Sequence, residues 1–164
     1  MSGLDRRAAS AAAGVWVLLA AWCAAAPPPP AAGSAEEAGV RNVVDAFVDS
    51  LNTADINAFS ALFAPSATVF FPLAPVLDLL DGKEEIVKVF GIFFDSVRKE
   101  GGGPRYMDLK PEGLKIQLYG TAAVATFHFS GRTMFSRRTL VLHRQAGKWL
   151  IVHMHGSGLP IQER

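Results

Sequence analysis

From Ser34 onward the apolar residues recur first at a helical period and then at a strand period. Val40, Val43, Val44, Phe47, Val48 and Leu51 share one helical stripe, and Ser34 with Glu37 sets an S-x-x-E capping box ahead of it. Asp55 reads as the N-cap of a short second helix carrying Phe59, Leu62 and Phe63, which has to stop before Pro65. Ala67 to Phe71 is a candidate strand. Beyond a loop marked by Pro72, Pro75 and Asp81-Gly82, the residues Ile86, Val87, Phe90, Phe93, Phe94 and Val97 form the stripe of a third helix, from about Lys83 to Glu100. Gly101, Gly102, Gly103 and Pro104 end it. The remainder reads as strands: Arg105 to Lys110, Leu114 to Leu118, Ala122 to Phe129, Thr133 to Arg144 and Trp149 to Ser157. Tight turns at Tyr119-Gly120, Gly131 and Gln145-Ala146-Gly147 separate them.

Helices first and antiparallel strands last define an α+β domain. Several strands are apolar at both parities: Ala125, Phe127 and Phe129 alternate with Val124 and Thr126. Both faces of the sheet therefore need a cover. Three helices serve one face, and the simplest cover for the other is a second copy of the same sheet, so a homodimer or larger homo-oligomer is expected.

Composition narrows the choice. The chain has 164 residues, 50% of them hydrophobic, which excludes disorder and allows one domain plus an appendage. A formal net charge of +1 removes the broad electrostatic case for nucleic acid. That value conceals a division, because residues 35–112 carry seven basic and thirteen acidic side chains, whereas residues 113–164 carry seven basic and one acidic. Two readings follow: an anion-attracting sheet or pocket, or complementary charge between two packed layers.

Residues 1–33 are of another kind. Arg6 and Arg7 precede an uncharged run from Ala8 to Ala26, followed by Pro27 to Pro30 and small residues. Basic, apolar and small segments in that order spell an export signal followed by an Ala/Pro-rich spacer, cut after Ala26 or after Gly33, and the mature protein is expected to be exported, periplasmic or secreted. The alternative is an inner-membrane anchor through residues 8–26, the one route to a membrane in this chain. Cys23 is the only cysteine, so no intramolecular disulfide can form.

The segment TLVLHRQAGKWLIVHMHGSGLP, Thr139 to Pro160, resembles the closing hairpin of the association (hub) domain of calcium/calmodulin-dependent protein kinase II and of bacterial SnoaL-like proteins, members of the nuclear transport factor 2-like superfamily. The features that carry the resemblance are Thr139, Val141, His143-Arg144, Gly147-Lys148-Trp149, the His153-Met154-His155 triplet, Ser157-Gly158 and Pro160. The preceding stretch SLNTADINAFSALFAPSATVFFP and the Asp81-Gly82 turn keep the same order, so the resemblance extends over about residues 37 to 160. It implies that residues 34–164 form a SnoaL-like domain with a cone-shaped, cystatin-like fold, in which three N-terminal helices pack on a curved, mostly antiparallel sheet around a pocket. Relatives of that fold include isomerases, dehydratases and cyclases as well as binding and assembly modules, so fold does not select an activity. A calmodulin-regulated scaffold role is not carried over.

Candidate chemistry concentrates in the strand half. The resemblance aligns His128 with a pocket arginine, and two further basic pocket positions with Leu140 and Gly156, which implies a less polar pocket. His128 can act as an acid/base or bind a carboxylate, or can be a satisfied core histidine. Tyr106 and Asp108 share a parity and are its candidate partners in proton transfer. Arg138, with Arg132 and Arg137, can ring a pocket mouth, and Phe47, Phe90 and Leu140 can line the interior. His153 and His155 share a strand face that His143 can approach, and three imidazoles suffice for a zinc site. Structural histidines bonded to one another or to backbone explain the same residues without metal, and no cofactor is expected. There is no G-x-S-x-G, no G-x-x-x-x-G-K-[ST] and no G-x-G-x-x-G. The expected function is binding of a small apolar or weakly anionic ligand by a homo-oligomer. Alternatives are an acid/base enzyme of isomerase, dehydratase or cyclase type, and a purely structural assembly module.

Overall fold

A computed structural model describes residues 34–71, 76, 78–131 and 134–161. The leader and anchor readings of residues 1–33, and Arg132, lie outside the described residues.

Helix α1 (Ala35–Thr53) starts as its capping box dictates: Ser34 Oγ accepts from the Glu37 amide at 3.2 Å. It ends at Ala54 in the left-handed region. In α2 (Ile56–Ala61), Asp55 Oδ1 accepts from the amides of Asn57 at 2.9 Å and Ala58 at 3.0 Å. Strands β1 (Phe63–Phe70) and β2 (Leu79–Asp81) precede α3 (Lys83–Glu100), and β3 (Glu112–Tyr119), β4 (Ala122–Ser130), β5 (Met134–Gln145) and β6 (Lys148–Pro160) complete the chain. The six strands form one sheet in the order β2-β1-β6-β5-β4-β3. All neighbours are antiparallel except β1 and β6, which run parallel.

Three sequence expectations need correction. Phe63 opens β1 and does not extend α2, and Pro65 sits within β1 where its register with β6 shifts, the place in a ladder that tolerates a missing amide donor. Strand β2, three residues long, is too short to display a period. Arg105 to Lys110 is no strand: the Asn52 carbonyl accepts from the amides of Tyr106 at 2.8 Å and Met107 at 3.2 Å. The Asn52 side chain accepts from the Leu109 amide at 2.7 Å and donates to the Leu109 carbonyl at 3.0 Å. One buried asparagine at the end of α1 thus takes the hydrogen bonds that a neighbouring strand would have made.

The helices cover one sheet face. Ala123, Ala125, Phe127, Phe129, Leu140, Leu142, Ile151 and Met154 are buried beneath Val40, Val44 and Phe47 of α1, Phe59 of α2, and Ile86, Phe90 and Phe94 of α3. Phe59 is the hub, its ring stacked on Phe90 at 4.2 Å between centroids and within 5.8 Å of Phe47, Phe63 and Phe94. A bulge makes this face continuous: Val141 pairs with His153 but Leu142 with Ile151, so Val152 is the extra residue and Ile151 and Met154 both point inward. The helices come close to the sheet at Gly39, where a Cβ would lie 2.9 Å from the Trp149 ring. Arg144 of β5 ion-pairs with Glu36 of α1, linking the basic half to the acidic half.

Candidate functional site

The inner sheet face and the helices leave between them a cavity of about 50 Å³. Helix α1 contributes Phe47 and Leu51, α3 contributes Phe90 and Phe93, and Phe71 follows β1. Met107 and Leu109 come from the segment held by Asn52, Met154 from β6, and Arg138 from β5. Eight apolar side chains thus surround a single charged one.

Arg138 is on this face because β5 alternates: Leu140 and Leu142, at the same parity, are fully buried in the core. Its Nη1 donates to Ser136 Oγ at 2.7 Å and to the Arg137 carbonyl at 2.8 Å. Its Cζ lies 5.4 Å from the centroid of the Phe129 ring. Burial lowers its pKa to about 10, which still leaves a cation at neutral pH. Among the described residues no carboxylate comes within ion-pair distance of it.

The sequence profile of the SnoaL-like domain matches residues 40–162. The chain belongs to this family. The delta subunit of calcium/calmodulin-dependent protein kinase type II from Oryctolagus cuniculus is 25% identical over 134 residues, 77% of this chain. The match spans 24% of that protein's length. An NTF2-like protein of unknown function from Pseudomonas putida KT2440 superposes with a TM-score of 0.63 at 22% identity, covering 75% of this chain and 86% of the other. A candidate calcium/calmodulin dependent protein kinase II association domain from Xanthomonas campestris superposes with a TM-score of 0.59 at 22% identity, covering 81% and 93%. The fold of this SnoaL-like domain is accordingly the NTF2-like, cystatin-like α+β fold.

Phe47, Phe90 and Arg138 line the cavity, and Leu140 lies on the same face but in the closed core. The other expected members are elsewhere. His128 is on the outer sheet face, because Phe127 and Phe129 occupy the inner one. Its ring rests against Phe135, 4.5 Å between centroids, and its Nε2 is 3.4 Å from Glu112 Oε2. Tyr106 is half-buried against the core without lining the cavity, while its neighbour Met107 does. Asp108 is solvated, its side chain 81% exposed and paired with Lys110 at 3.3 Å. None of His128, Tyr106 and Asp108 lines the cavity.

His153 and His155 share the outer face as their spacing requires, beside Phe70, with ring centroids at 6.0 and 5.7 Å. Thr68 Oγ1 is 2.8 Å from His153 Nδ1. Loss of hydration and then the charge of His155 push the His153 pKa below the ordinary imidazole value. His143 lies opposite Leu150 and is bonded to Thr121 Oγ1 at 3.3 Å. Among the described residues no three His, Cys, Asp or Glu side chains converge on a point. Arg137, Thr139, His155 and Ser157 instead border a shallow polar recess on the outer face.

Sequence reasoning missed Leu51, Phe71, Phe93, Met107, Leu109 and Met154 as lining residues. Leu51 and Phe93 were legible as parts of helical stripes. Met107 and Leu109 were not, since only their tether to Asn52 brings them to the mouth.

Proposed function

We propose that this SnoaL-like domain is a ligand-binding module: it holds a small, largely apolar molecule in the cavity inside the cone and assembles with copies of itself through the outer sheet face. The observation that carries the reading is the cavity itself, lined by eight apolar side chains where both α1 and α3 meet the sheet. Protein interiors are otherwise packed nearly as tightly as molecular crystals, so such a space is the first place to seek a ligand. Assembly draws support from the outer face, where Phe70, Leu79, Tyr119 and Leu159 are exposed beside half-buried Val124, Phe135 and Val141. It draws further support from the likeness to proteins named as association domains. The order of basic, apolar and small residues in 1–33 supports work outside the cytoplasm.

Three measurements test the reading. Native mass spectrometry and thermal-shift screening of the full chain with small aromatic and aliphatic compounds should find ligands that raise the unfolding midpoint, and Phe90→Ala should weaken them. Light scattering at micromolar concentration should give a mass of at least two chains. A cavity that accepts nothing across the screen would overturn the ligand half of the reading, and a monomeric mass the assembly half.

A further inference from the structure

We infer that the recess on the outer sheet face is an oxyanion site that takes a doubly charged phosphate group, free or at the end of an ester, with Arg137, Thr139, His155 and Ser157 as its donors. The sheet lies between this recess and the inner cavity, so the site does not depend on the ligand proposed there.

The register of the sheet builds the recess. Arg137 stands opposite Ser157, and Thr139 opposite His155, so the four side chains occupy two successive rungs of one face where β5 pairs with β6. The pairing runs without a shift from Val141 and His153 to Met134 and Pro160, which holds both rungs in place. Opposite side chains leave a sheet about 5 Å apart, and successive ones on a face about 7 Å apart. Four polar groups at the corners of so small a rectangle converge on one tetrahedral group. The recess measures about 400 Å³, which leaves room for water or for the organic part of an ester beside the anion.

The chemistry of the lining selects the charge. A guanidinium is a permanent cation with N–H donors only, each hydroxyl donates once, and an imidazole donates through at least one ring nitrogen. Among the described residues no carboxylate borders the recess, and none of the four side chains donates a hydrogen bond to another residue. Arg41, Arg98, Arg105 and Arg144 each have an acidic partner, whereas Arg137 has none among the described residues. Along the same row of the sheet Glu112 is two strands away, with His128 between it and Arg137. Its Oε2 is already met by His128 at 3.4 Å and Ser130 at 3.2 Å. Donors gathered without an acceptor call for a ligand that accepts, and a phosphate group offers three oxygens and nearly two charges at neutral pH. A carboxylate offers two oxygens and one charge, too few for four donors. The surplus of seven basic over one acidic side chain in residues 113–164 reinforces the attraction.

The test is calorimetry on the full chain in chloride buffer just above neutral pH, at fixed ionic strength, with inorganic phosphate, methyl phosphate and acetate as probes. At least one of the two phosphates should bind about tenfold or more tightly than acetate. Arg137→Gln should weaken that phosphate about tenfold or more, the range for losing a charge-assisted pair. Arg41→Gln removes the same charge from an arginine outside the recess and should leave the affinity within about twofold. Thr139→Val keeps the branched shape, removes one donor and should weaken binding about threefold. If Arg137→Gln fails to fold, as circular dichroism would reveal, Thr139→Val carries the same comparison. Methyl phosphate binding as tightly as inorganic phosphate or more so assigns the site to an ester, and weaker binding assigns it to the free ion. Phosphates that bind no tighter than acetate, or equal losses in Arg137→Gln and Arg41→Gln, would overturn the inference and leave the reading of the inner cavity standing.

Discussion

The two faces of one sheet obey different rules although the same strands make them. Inward, β4 and β5 present Ala123, Ala125, Phe127, Phe129, Leu140 and Leu142, all nearly inaccessible, and the polar residues of the same parity on β5 are Ser136, Arg138 at the edge of the cavity and Arg144, which pairs with Glu36 of α1. Outward, the alternate residues Val124, Thr126, His128, Thr139, Val141 and His143 are only half-buried. A one-residue step in parity separates a packed interior from a surface half-suited to water and half-suited to a partner. Polar groups therefore stand in different settings on the two sides: Arg138 borders an apolar cavity, whereas the outer histidines have ordinary neighbours in Thr68, Glu112 and Thr121.

The sharpest way to break this contrast is to truncate one large ring on each side. Phe59 is fully buried and touches four other Phe rings, so Phe59→Ala should cost about 3–5 kcal/mol of stability by chemical denaturation, the usual loss for emptying a core aromatic site. Phe70 is 41% exposed on the outer face, and Phe70→Ala should leave chain stability within about 1 kcal/mol. Equal losses at the two positions would show that the outer face is already covered as tightly as the core.

The next effect concerns the border between the faces and the cavity. Asn52 makes two side-chain bonds to Leu109, and Asn52→Leu should cost about 2–3 kcal/mol, because the Leu109 amide and carbonyl lose their partners. Since the same tether sets Met107 and Leu109 in the cavity lining, the variant should also weaken the ligands found by thermal shift more than Asp108→Asn does, which alters a solvated group. Equal affinities for those ligands in the two variants would separate the tether from the site.

Much of this was legible in advance. The Ser34 box, the stripes of α1 and α3 and the alternation in β4 and β5 are strong periods that depend on nearby residues alone. So does the parity of His128, whose outward direction follows from Phe127 and Phe129 on either side. The irregular course of residues 105–110 was not legible, because the alternation of Tyr106 and Asp108 imitates a strand while the hydrogen-bond partner is more than fifty positions away, at Asn52. The bulge at Val152 is likewise invisible in an unbroken apolar run. Arg138 was visible as one of several arginines, and its parity with Leu140 and Leu142 and its register with Gly156 distinguish it from Arg137, which is exposed on the outer face.

A smaller test of the outer face concerns assembly. Leu159→Ser and Phe70→Ser remove exposed apolar surface without touching the cavity lining. Together they should lower the average mass in light scattering toward one chain and leave ligand affinity within about twofold, a difference well under 1 kcal/mol. Unchanged mass would move the interface to another surface.

The smallest expected effect is a pH dependence that the outer face has and the inner face lacks. The His153 imidazole titrates below its ordinary range, through lost hydration first and the charge of His155 second. A depressed imidazole pKa means that the folded chain resists a proton that the unfolded chain accepts near pH 6.5. Stability should therefore be unaffected by this group well above pH 6.5 and should fall as the pH drops from there toward the lowered value in the fold. Urea midpoints measured at pH 8, 6 and 5 should show a shallower decline in His153→Gln than in the wild type. Parallel declines in the two proteins would assign the acid sensitivity to other groups. The outer face would then be no more responsive to protons than the core behind it.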